Sequence, residues 1–304
     1  MKRRSFLAAS AAASVIPSAG IASAASVAGN KSNSAKFKLK YAPSLSMFRK
    51  HAGKGIVDNI SFIADQGFRA IFDNGLMRRS ESDQKLIASE LAKRDMDLGP
   101  FVLYANFGKE SFVLDDKEVR DMLAKKMKEG IEVAKRVGAK WALVVPGRYN
   151  QRMPWDYQTA NVIENLRYCM DLVEKSGLVI VLEPLNKMNH PGLFLTGIPQ
   201  SYMICRSVNS PSCKIVNDFY HQQITEGDLI RNADRAWSEI ASIHLGDNPG
   251  RKEPGTGEIN YRNIFKHLYE KKYDGVLCME HGKSIKDIEG EKAVIEAYRA
   301  CDNF

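Results

Sequence analysis

Four short apolar runs in this 304-residue chain each stop at a side chain that can bind a cation or move a proton. Val179-Ile180-Val181-Leu182 leads to Glu183, Lys214-Ile215-Val216-Asn217 to Asp218, Ala241-Ser242-Ile243 to His244, and Gly275-Val276-Leu277-Cys278-Met279 to Glu280. Runs this short and this rich in branched residues read as buried strands. Pro184, lacking an N–H, ends the first ladder immediately after Glu183. One polar residue at a strand end is ordinary, as a helix cap or part of a solvated loop; four metal-competent groups at equivalent ends call for a common purpose. Three carboxylates and one imidazole form a hard, oxygen-rich donor set for one divalent ion, with Mn²⁺ or Co²⁺ favoured and Mg²⁺ admissible, whereas zinc prefers more nitrogen and sulfur. A cation that chelates two adjacent oxygens of a hydroxy-carbonyl compound acidifies the C–H between them and stabilises the enediolate. Glu183 and Glu280, three strands apart, are the candidate pair for removing and returning that proton from two faces. Ligation without acid/base work is the alternative for both.

Presenting four such groups together requires parallel strands whose C-terminal ends share one side of a sheet, and the chain alternates accordingly. Strand-like segments are expected at Phe37–Pro43, Phe68–Asp73, Leu98–Tyr104, Trp141–Val145, Leu178–Leu182, Cys213–Phe219, Ala241–Leu245 and Asp274–Met279. Amphipathic helical patterns separate them, among them Ser82–Arg94, Asp115–Val137 closing at Gly138, Trp155–Lys175 closing at Gly177, and a segment within Thr225–Trp237. Eight such units with short linkers, and no Gly-rich phosphate loop after the first strand, predict an α/β fold: a single (β/α)8 TIM barrel rather than an open doubly wound sheet. The period of two supplies a check. If the four site residues point inward, Val181, Val216, Ser242 and Cys278 do as well, and Leu182, Ile243 and Leu277 face the helices.

The N-terminus belongs to a different problem. Lys2-Arg3-Arg4 followed by the apolar run Phe6–Ile16 and the small-residue site Ala22-Ser23-Ala24 reads as a signal peptide over 1–24, too short to span a bilayer. The arginine pair resembles a twin-arginine signal, which implies export of an already folded, cofactor-loaded protein to the periplasm or beyond, with no stable membrane anchor after cleavage. Residues 25–36 read as a tether and 37–304 as the barrel domain. Cleavage leaves 280 residues and lowers the formal charge from +8 to +5. That charge is spread without a Lys/Arg block, which suits anionic small molecules and not nucleic acid; the sequence leaves an oligomer open. Five scattered cysteines form no C-x-x-C motif, and Cys205 with Cys213 is the one plausible pair.

Three longer motifs carry a family resemblance: Leu182-Glu183-Pro184-Leu185-Asn186 followed by Pro191-Gly192, Asn217-Asp218-Phe219-Tyr220-His221-Gln222, and the run from His244 through Asp247, Arg251, Glu253-Pro254-Gly255-Thr256-Gly257-Glu258 to Tyr261. On these the chain resembles the xylose-isomerase-like barrels, in their hydroxypyruvate isomerase and sugar isomerase/epimerase branch. The resemblance implies metal ligation by Glu183, Asp218, His244 and Glu280, acid/base roles for Glu183 and Glu280, substrate contacts from His221 and Arg251, and a small-molecule carbohydrate substrate. Such proteins commonly carry Glu near the end of strand two and His at the end of strand four, where this chain has Phe72-Asp73 and Pro146-Gly147. A sugar dehydratase or lyase would use the same enolate. An endonuclease IV-like phosphodiesterase would need more strand-end histidines, and a non-catalytic sugar-binding protein would tolerate a broken ligand set. Arg251 has a structural alternative, pairing with Asp247 or Glu253. Of the other histidines, His51 and His267 are expected at the surface, His281 is expected to point away from Glu280, and His190 is a candidate for the mouth.

Overall fold

The computed structural model describes residues 34–304; the expected signal peptide and tether residues 25–33 lie outside the described residues. Nine strands are present there: β1 (Lys40–Pro43), β2 (Ala70–Ile71), β3 (Asp97–Leu98), β4 (Phe101–Ala105), β5 (Trp141–Val145), β6 (Val179–Leu182), β7 (Cys213–Asp218), β8 (Ile240–Leu245) and β9 (Val276–Met279). Ten α-helices accompany them: α1 (Arg49–Ala52), α2 (Ile56–Asp65), α3 (Glu81–Arg94), α4 (Lys117–Val137), α5 (Trp155–Val173), α6 (Ile198–Val208), α7 (Phe219–Thr225), α8 (Leu229–Ala236), α9 (Tyr261–Glu270) and α10 (Asp287–Cys301). Seven strands form one parallel sheet in the order β1-β9-β8-β7-β6-β5-β4, and β2 and β3 form a second parallel pair. Parallel strands connected through helices bury both faces, which is why these strands read as nearly continuous apolar runs.

Two sequence expectations are corrected in the first half. The second strand shrinks from six residues to Ala70–Ile71, and the third breaks at Gly99-Pro100 into β3 and β4. Pro100 brings no N–H to a ladder. Gly99 N–H turns instead to the Ile71 carbonyl at 2.8 Å. A Cβ at Gly99 would stand 2.6 Å from Cys278 Sγ, so only glycine lets the backbone approach so closely. A third correction is α7, which begins at Phe219, where the strand was expected to end, and precedes the helix expected within Thr225–Trp237.

The long helix α4 shows how local sequence sets an element. Asp116 caps it, accepting from Val119 N–H at 2.9 Å, and Gly138 ends it in the left-handed region at φ 68°. Leu123, Met127, Ile131 and Ala134 recur at helical spacing and form its buried stripe. Gly130 on the same stripe admits Leu103 of β4, whose Cδ1 would lie 2.2 Å from an added Cβ.

The core divides as the alternation requires. Leu182, Ile243 and Leu277 pack in the large cluster shared with the helices. Val181 and Val216 lie in an inner cluster with Leu143, Val145, Leu185 and Leu193. Cys278 joins Ala42, Ala70, Phe72 and Val276 in another, and Ser242 is fully buried. The five cysteines are free thiols, with Cys205 and Cys213 Sγ atoms 3.9 Å apart.

Candidate functional site

β6, β7, β8 and β9 bring Glu183, Asp218, His244 and Glu280 to one place, where one ligand atom from each lies within 4.8 Å of all the others. Parity along the strands explains the convergence: each residue is two positions beyond an inward-facing neighbour, so all four leave the sheet on the inner side. Parallel registry adds the axial match, since Asp218 pairs with His244 across β7 and β8, and His244 with Cys278 across β8 and β9.

Asp218 serves two structures at once. Its Oδ1 caps α7, accepting from Tyr220 N–H at 2.8 Å and His221 N–H at 3.4 Å. Its Oδ2 faces the site, 2.7 Å from an Arg251 guanidinium nitrogen. The same nitrogen lies 2.7 Å from Glu280 Oε2. Arg251 therefore joins two of the proposed ligands, and not Asp247 or Glu253 as the structural alternative supposed. Glu280 Oε2 also stands 3.0 Å from His244 Nδ1, and Glu280 Oε1 accepts from Asn74 Nδ2 at 2.6 Å. Glu183 Oε1 is 3.3 Å from His244 Nδ1. Glu183 Oε1 and His244 Nε2 are both buried without a hydrogen-bond partner. Buried polar atoms left open in this way are costly unless something else satisfies them. Three carboxylates, the His244 Nδ1 that faces them and the open Glu183 Oε1 fit a single hard divalent ion.

Electrostatics separate the two glutamates. Burial, reinforced by the neighbouring Glu280 charge, raises the Glu183 carboxyl to about 7. Burial opposes ionisation of Glu280 too, but His244 and Arg251 outweigh it and hold that carboxyl below its usual range. Burial disfavours the His244 imidazolium, yet the Glu280 charge prevails and raises that group.

His221 sits on α7 with its ring buried and its proton placement fixed by a neighbour. Asn186 N–H donates to His221 Nδ1 at 3.2 Å, so the neutral ring carries its hydrogen on Nε2. Burial lowers the group to about 4, keeping it neutral. His221 Nε2 is buried without a hydrogen-bond partner, and the residue lines a 390 Å³ cavity with Glu183, Arg251 and Glu280. Its Nε2 lies 3.7 Å from Asp218 Oδ2, which leaves a donor free beside the carboxylate cluster. The same cavity includes His190, stacked on Phe107 at 5.2 Å, which places this histidine at the mouth. His281 points away, to Tyr298 Oη at 3.0 Å. His51 and His267 are not free surface groups: each is half-buried against a carboxylate, Glu291 at 2.8 Å and Asp234 at 2.9 Å.

Two supporting residues went unrecognised in the sequence. Asn74, after β2, donates to Glu280 Oε1 while Arg251 takes Oε2; a lone Asn beside a Gly reads as a turn and gave no signal. Asp247 organises the loop that carries Arg251. Fully buried, it accepts from Asn248 and Ile259 N–H with Oδ1 and from Gly255 and Gly257 N–H with Oδ2, all between 2.8 and 3.0 Å. Tyr261 Oη closes the same loop on both backbone groups of Gly246. Gly257 has no room for a side chain, since a Cβ would meet the Asn248 carbonyl oxygen at 2.2 Å. Arg251 itself adopts φ 51° and donates from Nε to the Glu280 carbonyl at 3.0 Å. The density of Gly in this run was the available signal, because glycine backbones are what a buried carboxylate can gather.

A family model described as xylose isomerase-like TIM barrel matches residues 60–302. The chain is 32% identical over 166 residues to hydroxypyruvate isomerase of Escherichia coli (strain K12), a match covering 55% of this chain and 63% of that relative. It therefore spans less than two thirds of that relative's length. Among solved structures, AP endonuclease family 2 from Brucella melitensis aligns with a TM-score of 0.72 at 22% identity, covering 83% of this chain and 96% of that one. The 3-keto-D-glucoside 4-epimerase of E. coli aligns with a TM-score of 0.71 at 19% identity, covering 88% and 100%. At such identities these two structures speak for the fold.

Because each hydrogen bond to a buried charge is worth roughly 1.5–3 kcal/mol, Asp247→Asn should lower unfolding stability by at least about 2 kcal/mol. The exchanged amide would also turn an N–H₂ toward backbone donors and release Arg251. Urea denaturation measures the first effect, and loss of ligand-induced protection of the 246–261 backbone in hydrogen exchange measures the second.

Proposed function

This chain belongs to the xylose isomerase-like TIM barrel family, and from that premise we propose that it is a divalent-metal-dependent isomerase or epimerase of a small hydroxy-carbonyl compound. The observation that carries the reading is the convergence of Glu183, Asp218, His244 and Glu280 beside a cavity that Arg251 and His221 also line. The E. coli relative named hydroxypyruvate isomerase supports the reaction class. Glu183, Asp218, His244 and Glu280 would hold the ion, with Mn²⁺ or Co²⁺ preferred because one imidazole joins the oxygens. Bound there, the ion would supply Lewis acidity toward adjacent substrate oxygens.

The protein's own groups do the rest. One glutamate takes the proton from the hydroxyl-bearing carbon beside the carbonyl, leaving an enediolate; a proton delivered by the other to the opposite face of that carbon completes epimerisation, whereas delivery to the neighbouring carbon, with the hydroxyl proton passing to the former carbonyl oxygen, completes isomerisation. Burial and the neighbouring Glu280 charge favour the protonated form of Glu183, and a bound cation would draw it back to the carboxylate that accepts a proton. Arg251 and the His221 Nε2–H stabilise the negative oxygens as charge develops. The apolar wall of Val102, Ala105, Leu143, Val145 and Leu185 keeps water from the reacting carbon. Among the described residues the metal-competent cluster has a single imidazole, which disfavours the many-histidine zinc chemistry of phosphodiester hydrolysis.

We read the two sheets as one eight-stranded barrel over 37–304. A parallel bridge from Ser44 to Phe72 links the end of β1 to β2, and Gly99 N–H joins the β3 side to Ile71. Export by a twin-arginine signal belongs to the same proposal.

Solvent-deuterium incorporation into three- and four-carbon hydroxy-carbonyl compounds, followed by NMR, tests the reaction. Glu183→Gln and Glu280→Gln should each slow exchange by at least ~10²-fold, the low end for acid/base catalysis. Unaltered exchange in both variants would rule out the two-carboxylate mechanism. Export has its own test: changing Arg3 and Arg4 together to Lys keeps the charge but loses the guanidinium geometry. Precursor should then accumulate in the cytoplasm, and normal export would point to the general secretory route.

A further inference from the structure

Arg78 closes a short turn after β2, and its side chain lines the cavity that holds Glu183, His190, His221, Arg251 and Glu280. Its neighbour Arg79 is engaged by the Asp73 carboxylate. Arg78 is exposed and, among the described residues, its guanidinium has neither an ion pair nor a hydrogen bond. It lies over Gly75, where an added Cβ would be 3.5 Å from one of its terminal nitrogens. The cavity thus has two guanidinium groups, Arg251 bound to the ligand carboxylates and Arg78 uncommitted.

The charge balance gives this group a use. With a divalent ion bound, its ligands His244 neutral and all three carboxylates ionised, Asp218, Glu183 and Glu280 contribute three negative charges and the ion with Arg251 three positive ones. Arg78 is then one positive charge in excess, the complement of a monoanion. The apolar part of the lining points the same way. Val102, Ala105, Leu143, Val145 and Leu185 offer no hydrogen-bonding side chain, so the successive hydroxyls of a long neutral sugar would lose water there without replacement. A short substrate with its reactive oxygens at the carboxylate cluster and an anionic end toward Arg78 leaves no polar group stranded.

We propose that Arg78 determines specificity by binding a substrate carboxylate, so that the site takes short hydroxy-keto acids in preference to neutral ketoses of equal length. The inference rests on the function proposed above and deepens it by assigning the charge of the substrate and the residue that reads it. A guanidinium fork facing a carboxylate makes paired, charge-assisted hydrogen bonds that a hydroxymethyl group cannot match.

Two compounds isolate the effect: 3-hydroxypyruvate and dihydroxyacetone have the same carbon count and the same hydroxy-keto unit, and differ in one carboxylate. Their dissociation constants would be measured by ligand-observed NMR with the metal-loaded protein as purified, its Arg78→Lys variant and its Arg78→Ala variant. The wild-type protein should bind hydroxypyruvate more tightly. Arg78→Ala should weaken hydroxypyruvate by about tenfold or more, the scale of one charge-assisted contact, while dihydroxyacetone stays within twofold. Arg78→Lys should fall between. Equal weakening of both ligands, unchanged hydroxypyruvate binding, or tighter wild-type binding of dihydroxyacetone would each overturn the proposal. Because binding is read apart from turnover, selective binding without deuterium exchange would support this role for Arg78 while removing the proton-transfer reading. Exchange with dihydroxyacetone as the better ligand would do the reverse.

Discussion

Mutual repulsion among three carboxylates is the constraint on which this structure turns. Two unit charges 4 Å apart repel by about 4 kcal/mol at the effective dielectric of a protein site, and Glu183, Asp218 and Glu280 crowd together with only His244 and Arg251 to offset them. A fold gains no stability from such an arrangement. Its cost must be met by the rest of the molecule, in the manner of functional sites generally.

The surrounding groups are arranged to hold that cost in place. Asn74 and Arg251 each hold one oxygen of Glu280, and Asp218 is tied to α7 through one oxygen while the other remains for the site. Behind Arg251, the buried Asp247 gathers four backbone N–H groups, and Tyr261 clamps Gly246. These contacts fix the loop before any ligand arrives, so binding free energy is not spent on ordering it. Asn186 does the same for His221 by setting its tautomer. Long-range positioning comes from the strands themselves, whose alternation sends the four side chains to one side.

Much of this was legible in the sequence because it depends on local rules. The runs ending at Glu183, Asp218, His244 and Glu280 are short, apolar and sharply terminated, and the period of two correctly divided Val181, Val216 and Cys278 from Leu182, Ile243 and Leu277. The first half was harder. β2 is two residues long, and the break at Gly99-Pro100 reflects a close approach to Cys278, a residue 179 positions later that no local pattern reveals. Helix α7 was missed for a more instructive reason. Capping and site chemistry were weighed as rival readings of Asp218, yet a carboxylate has two oxygens and this one does both. Arg251 was named as a substrate contact, but its pairing with Asp218 and Glu280 was not foreseen, because its nearest acids in sequence, Asp247 and Glu253, are committed to backbone groups and to Ser284.

The central claim is that the four strand-end side chains form one cation site. Elemental analysis of protein purified without chelators, compared with Asp218→Asn, tests it most directly. Asp218→Asn retains the cap oxygen and removes one ligand charge. The account predicts close to one divalent ion per chain in the wild type, Mn²⁺ or Co²⁺ restoring activity after chelation, and strongly reduced metal in the variant. A folded, active wild-type protein with no divalent ion and no response to chelator would contradict it.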